Sequence, residues 1–205
     1  MNNKVTPTGI AWFIAPSINS VTRVGTMSEK KVLFDAMLDF KAYNLIPSTK
    51  RGHAIGATET VIEQAVRMCA NAKKKQNEAR DKALPQIENI IQSENLLNNK
   101  ILIIQLDFDA DKALTGLIAN KVMDTYKRPT LILNKVTEDD GTVHWDGSGR
   151  NCPNLEFKDF RKFLEESALV AYAEGHPGAF GTSIPEENIQ KLNKYANEKL
   201  KNIEF

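Results

Sequence analysis

The first apolar run, Ile10-Ala11-Trp12-Phe13-Ile14-Ala15, is closed by Pro16, and the segment Asn19 to Arg23 after it reads as a loop. A helical pattern follows from Ser28 to about Asp39, with Ser28 as its expected N-cap. Ile46 to Thr58 carries Pro47, Gly52 and Gly56 and reads as a loop. From about Glu59 to Ser93 apolar or small residues recur at Ile62, Ala65, Val66, Cys69, Ala72, Ala79, Ala83, Ile87, Ile90 and Ile91, the spacing of a long helix. Pro85 lies inside it and lacks the N–H that a helix interior uses, so a kink or break near Arg80 to Leu84 is expected.

Beyond Asn99 the pattern shifts to short alternating elements. Ile101 to Leu106 is apolar enough for a buried strand, and Ala110 to Tyr126 is amphipathic and helical. Thr130 to Leu133 predicts a second strand, and the turn Glu138-Asp139-Asp140-Gly141 leads to a third, Thr142 to Trp145. Phe157 to Tyr172 predicts a helix, followed by a Gly-rich loop and a short strand near Thr182 to Ile184. Pro185 then opens a last helix that ends near Leu200. The expected class is α/β: a long connecting helix followed by a compact mixed-sheet α/β domain.

Composition narrows the picture. The 205 residues carry a formal net charge of +1, which argues against a polybasic protein but leaves room for a local stripe of Lys and Arg. Lys73, Lys74 and Lys75, with Arg67, Arg80 and Lys82, form such a basic helix face, although solvated faces of this kind are common. Cys69 and Cys152 are far apart in no metal-like spacing, as expected of reduced thiols in a cytoplasmic protein. No stretch approaches the roughly 20 apolar residues of a membrane span, and Met1 to Thr8 does not read as a secretory signal.

Two segments carry the strongest candidate chemistry. In Asp146-Gly147-Ser148-Gly149-Arg150-Asn151, two glycines permit close backbone approach, and a hydroxyl and a guanidinium two residues apart suit a phosphate; the plain alternative is a turn with a surface Arg. In Glu174-Gly175-His176-Pro177-Gly178-Ala179-Phe180-Gly181, a glycine-bounded His can donate to a phosphate or serve as a buried turn residue. Asn19 and Arg23 offer an amide and a guanidinium. Asp107, Asp109 and Asp111 follow a strand, where alternating acids can hold Mg²⁺ or Mn²⁺, but no EF-hand pattern follows and Asp111 can simply cap the next helix. Trp145 and Phe180 suit either base stacking or the core.

In order along the chain, these pieces resemble a known family. Ile14-Ala15-Pro16-Ser17-Ile18-Asn19-Ser20-Val21-Thr22-Arg23 is similar to the segment closing the catalytic domain of RecJ-type single-strand exonucleases of the DHH superfamily. Gly116-Leu117-Ile118-Ala119 resembles the helix that opens the family's DHH-associated C-terminal domain, and Arg128-Pro129-Thr130 the entry to its next strand. Gly147-Ser148-Gly149-Arg150 matches its Gly-Ser-x-Arg motif, and Gly175-His176-Pro177-Gly178-Ala179-Phe180-Gly181 resembles its Gly-Gly-His-x-x-Ala-x-Gly motif. Thr22, Glu174 and Asn151 depart from the pattern and bear on the fine geometry of the sites.

The resemblance implies three segments: 1–58 as the tail of the catalytic domain, 59–98 as the long connecting helix, and 99–205 as the DHH-associated substrate-binding domain. It implies that Ser148, Arg150, Gly147, Gly149, Gly175, Asn19 and Arg23 hold substrate phosphates while His176 assists at the scissile one. The parent enzymes use Mn or Mg, held by Asp and His ligands that include an Asp-His-His motif. This chain has only His53, His144 and His176 and no such motif, so it is expected to bind no metal and to be inactive alone. The implied partners are single-stranded nucleic acid, DNA above RNA, and the N-terminal catalytic domain, in repair or recombination. Two readings compete: a non-catalytic module of a repair or replication complex, and the tail of a nanoRNA or cyclic-dinucleotide phosphodiesterase.

Overall fold

The computed structural model describes residues 5–52, 54–108, 111–154 and 156–205, so His53, Asp109 and the start of the expected helix at Ala110 lie outside the described residues. The chain divides into two compact units, Met1–Ala79 and Arg80–Phe205. The first unit begins with helix α1 (Pro7–Gly9), a π-helical stretch (Ile10–Ile14) and α2 (Ala15–Val24). The expected loop at Asn19 to Arg23 is therefore helix. Pro16 is the second residue of α2, which directly follows the π-helical stretch, so the helical backbone runs through it instead of ending there.

The cap of helix α3 (Met27–Asp35) is Thr26, two residues before the expected one. Thr26 and Glu29 form a reciprocal capping box, with the Thr26 N–H donating to Glu29 Oε2 at 2.7 Å, and Ser28 falls inside the first turn. The helix ends at Asp35, and a separate short helix, α4 (Asp39–Ala42), follows. Strands β1 (Leu45–Pro47) and β2 (Thr58–Thr60) pair antiparallel, so the ends of the expected loop are strands. Val21, Leu33, Cys69 and Ala72 form a small core here. Buried Glu59 accepts hydrogen bonds from the Thr49 N–H, Gln64 and Arg67, with Arg67 Nη2 at 2.5 Å. Burial pushes its carboxyl up, but these donors more than offset it and hold the group below its ordinary value.

Helix α5 (Val61–Ser93) runs 33 residues without a break, with Pro85 inside it. Thr60 and Glu63 cap its start: the Thr60 N–H donates to Glu63 Oε2 at 2.9 Å. The helix crosses the boundary between the two units. Three cations of its basic face lie beside acids: Arg67 beside Glu59, Arg80 beside Asp81 at 2.7 Å and Lys74 beside Glu78 at 3.8 Å.

The second unit is a five-stranded mixed sheet. Strand β3 (Leu102–Leu106) is followed by α6 (Thr115–Tyr126), β4 (Thr130–Thr137), β5 (Val143–Arg150), α7 (Phe160–Glu166), β6 (Tyr172–His176), β7 (Ala179–Pro185) and α8 (Ile189–Lys199). The sheet order is β3-β4-β5-β7-β6, with β3 and β4 parallel and every other pair antiparallel. One face carries Ile101, Ile103, Leu131, Leu133, Trp145, Phe180 and Ile184. Phe160 and Leu164 of α7 and Leu192 and Ala196 of α8 pack against it. Phe180 stacks edge-on to Phe160 with ring centroids 5.3 Å apart. Trp145 and Phe180 are therefore core residues, 7% and 3% exposed. Cys69 and Cys152 are free, buried thiols that burial pushes up in pKa and so toward inertness. No described helix is long and apolar enough to cross a membrane.

Candidate nucleic-acid interface

The Gly-Ser-Gly-Arg segment is not a loop. It is the last half of β5, an inner strand paired with β4 on one side and β7 on the other. Residues two apart on a strand share a face, so Ser148 and Arg150 point together while Gly147 and Gly149 point to the core. The glycines are needed there. A Cβ on Gly147 would overlap the Ile132 carbonyl, and one on Gly149 would overlap the Phe180 ring.

On the opposite face the N-terminus of α6 lies over Ser148 and Arg150. Thr115, 3% exposed, donates its hydroxyl to the Lys112 carbonyl at 2.9 Å, so the 2.9 Å Ser148–Thr115 bond has Ser148 as donor. A Cβ on Gly116 would overlap Arg150 Nη2 and reach 3.4 Å from Ser148 Oγ. The glycine thus lets the guanidinium lie against the first turn of a helix. Arg150 Nη1 donates to the Gly149 carbonyl at 2.6 Å, which holds the guanidinium back against its own strand. A guanidinium, a hydroxyl and the positive end of a helix dipole converge here, a combination that suits a phosphate.

The expected glycine loop around His176 is a hairpin: β6 and β7 are joined by Pro177-Gly178 alone, and Gly175 takes φ +132° within β6. The expected helix Phe157 to Tyr172 is confined to Phe160–Glu166; Ala168 takes φ +56° beyond it, and Tyr172 belongs to β6. His176 pairs with Ala179, and Ala179 with Arg150, so the two site residues are two strand spacings apart in one row, roughly 10 Å between backbones. His176 Nδ1 accepts the Gly178 N–H at 3.1 Å, which leaves Nε2 to carry the hydrogen of the neutral ring. It borders a groove of about 520 Å³ with Asn151, Asn154 and Lys158. Asn151 ties this groove together, donating its N–H to the Gly178 carbonyl and its amide to the Phe157 carbonyl, both at 2.9 Å.

Asn19 and Arg23 belong to the first unit, exposed and one helical turn apart on α2. The sequence missed Thr115 as a partner of Ser148 and gave Gly116 no role in the site. The available signal was a glycine in the first turn of an amphipathic helix, where alanine would be the more stable residue. For metals, the described residues include no group of three or more His, Cys, Asp or Glu placed to hold an ion. Asp111 instead caps the 3₁₀ turn before α6, accepting the Ala113 N–H at 2.9 Å. A two-metal centre has no donor set among them.

In sequence and in fold the chain is similar to a portion of RecJ-like exonucleases. Over 192 residues it is 38% identical to the Bacillus subtilis (strain 168) protein named "Putative SPbeta prophage-derived single-strand DNA-specific exonuclease YorK" and to its Bacillus phage SPbeta counterpart. The match takes in 94% of this chain but 33% of each relative, so the chain spans about a third of their length. RecJ of Thermus thermophilus in complex with Mn²⁺ shares the fold, with a TM-score of 0.63 and 14% identity over 96% of this chain and 25% of that one. An exonuclease RecJ bound to manganese also shares it, with a TM-score of 0.56 and 12% identity over 99% of this chain and 43% of that one. No family model matches the chain.

Proposed function

We propose that this chain is the substrate-gripping C-terminal portion of a RecJ-like single-strand exonuclease, in which Ser148, Arg150 and the start of α6 hold a phosphate of single-stranded DNA. The observation that carries this reading is the convergence of Arg150 and Ser148 on Gly116, where the helix leaves no side chain in the way. Arg150 supplies charge-assisted bonds, Ser148 a hydroxyl that turns from Thr115 to the phosphate, and the start of α6 the positive end of its dipole. His176, two strand spacings away in the same row with Nε2–H as donor, assists at a neighbouring phosphate. Asn19 and Arg23 contact the backbone from the first unit. Cleavage, with Mn or Mg, belongs to an N-terminal catalytic domain.

The reading takes 1–58 as the end of that catalytic domain, 59–98 as connector and 99–205 as the substrate domain. The first unit supports it: Trp12 and Phe13 are both 71% exposed, and Met27, Phe34, Phe40, Tyr43 and Leu45 are also open. Apolar surface on this scale marks a face that packs against more protein. The test compares 5′-phosphorylated with 5′-hydroxyl single strands. Arg150→Ala is expected to weaken the phosphorylated strand by roughly 10- to 100-fold, the worth of hydrogen bonds to a charged group at about 1.5–3 kcal/mol. Unchanged affinity refutes the grip. Nuclease activity with Mn²⁺ in this chain alone refutes the division of labour.

A further inference from the structure

Strand β6 carries an exposed aromatic ring on the same face of the sheet as Ser148 and Arg150. The register sets Tyr172 opposite Ser183 of β7, and Ser183 opposite Asp146 of β5. The next row on that face is Glu174, Gly181 and Ser148, and the one after it His176, Ala179 and Arg150. Tyr172 therefore stands two strand spacings across and one pleat repeat along from Ser148, about 12 Å between backbones. Asp146 and Glu174 both act on its phenol, which puts the ring on their face and not in the core, where Ala173 packs.

The surface between Tyr172 and the grip is low and open. Helix α6 covers β4 and β5 on this side, whereas Glu174, His176 and Ala179 are exposed and Tyr172 is 43% exposed. Gly181 lies in the middle. A Cβ there would meet only the Gly147 carbonyl, at an ordinary 3.8 Å, and its φ is not in the left-handed region, so neither packing nor backbone calls for glycine. With Ala179 and Ser183 beside it, Gly181 gives a floor that no large side chain interrupts.

Charge decides what lies against the ring. Burial, and then the carboxylates of Asp146 and Glu174, push the Tyr172 phenol up, so it stays neutral while two negative charges flank it. A phosphate is repelled from this end of the floor and drawn to Arg150 at the other. A neutral planar group meets no such repulsion, and an aromatic face stacks on any base.

We propose that Tyr172 stacks on the base of the nucleotide whose 5′-phosphate is held at Ser148 and Arg150, with the sugar lying over Gly181. The inference rests on the phosphate grip proposed above and adds a contact to the nucleoside that tolerates every base. The span of the floor is shared between the nucleotide and the side chains leaning in from its two ends.

Four single strands of one sequence test it by fluorescence anisotropy. They carry a 5′-phosphate or a 5′-hydroxyl, and a first nucleotide with its base or replaced by an abasic analogue. The wild-type chain is expected to bind the phosphorylated, base-bearing strand about 5- to 100-fold tighter than its abasic counterpart, the worth of one base–aromatic stack. Tyr172→Ala and Tyr172→Leu are expected to lose that preference while binding the abasic strand as the wild type does, and Tyr172→Phe to keep it. Equal wild-type affinity for base-bearing and abasic strands overturns the proposal with no variant needed. A preference that survives in Tyr172→Leu overturns it too, as does an equal loss on both strands, which marks Tyr172 as structural. A base preference that depends on Tyr172 but is indifferent to the 5′-phosphate sinks the grip and supports the stacking.

Discussion

Gly116→Ala separates binding from stability at one atom. Gly116 is the second residue of α6, and helix formation favours alanine over glycine by up to about 1 kcal/mol. The added Cβ meets only the far end of the Arg150 side chain and, at 3.4 Å, Ser148 Oγ. A guanidinium can swing aside, so the fold keeps most of the helix gain and the melting midpoint stays level or rises. The grip does not survive the same change, because the methyl stands where Arg150 and a phosphate meet the helix turn. Loss of the charged hydrogen bonds costs about 1.5–3 kcal/mol, or roughly 10- to 100-fold in affinity. Calorimetric melting and fluorescence-anisotropy titration with a 5′-phosphorylated single strand read the two effects on one sample. Undiminished binding would show that Arg150 does not work from this position, and a large drop in midpoint would show that Gly116 is structural.

Other substitutions and titrations follow from the same geometry. Gly149→Ala pushes a methyl into the Phe180 ring and is expected to cost about 1–3 kcal/mol, whereas Gly147→Ala meets the Ile132 backbone, which cannot step aside, and should exceed that range in chemical denaturation. Tyr126 donates to Glu88, and burial together with that carboxylate pushes the phenol up to about 12. A raised pKa gives stability that is present below the ordinary value of 10 and lost as pH rises through about 12, so Tyr126→Phe should flatten the alkaline limb of the stability profile. Glu59 has the opposite sign: its depressed pKa gives stability present above the ordinary 4.5 and lost as pH falls through the folded value. Glu59→Gln should remove that acid-side loss, and an unchanged acid limb in the variant would show that the Arg67 contact carries no linkage.

Periodicity was sufficient for the long helix and for the class of the second unit, because buried strands and amphipathic helices write their spacing directly. It failed where glycine and proline serve purposes other than turns. Gly147 and Gly149 read as a loop, but they are glycine because their Cβ positions are filled by Ile132 and Phe180 across the sheet, a contact that local sequence does not encode. Pro16 read as a terminator because its place in a first turn depends on the helix that follows. Pro85 read as a kink or a break, and α5 continues past it without the break. At the site, Ser148, Arg150 and His176 were legible as chemistry. Their convergence with Thr115 and Gly116 was not, since it joins positions about thirty residues apart through the stacking of α6 on β5.

The placement of Ser148 and Arg150 on an inner strand governs how the grip behaves in time. Many phosphate sites sit on glycine loops that fray and must be ordered when the ligand arrives. Strand β5 is hydrogen-bonded on both edges from Val143 to Arg150 by β4 and over most of that length by β7. Its amides can exchange with solvent only when the sheet itself opens. The grip therefore pays little ordering entropy on binding and does not switch off piecemeal. Its hydrogen-exchange protection should follow the global stability of the second unit, so that loss of binding by denaturation and loss of the fold are one event.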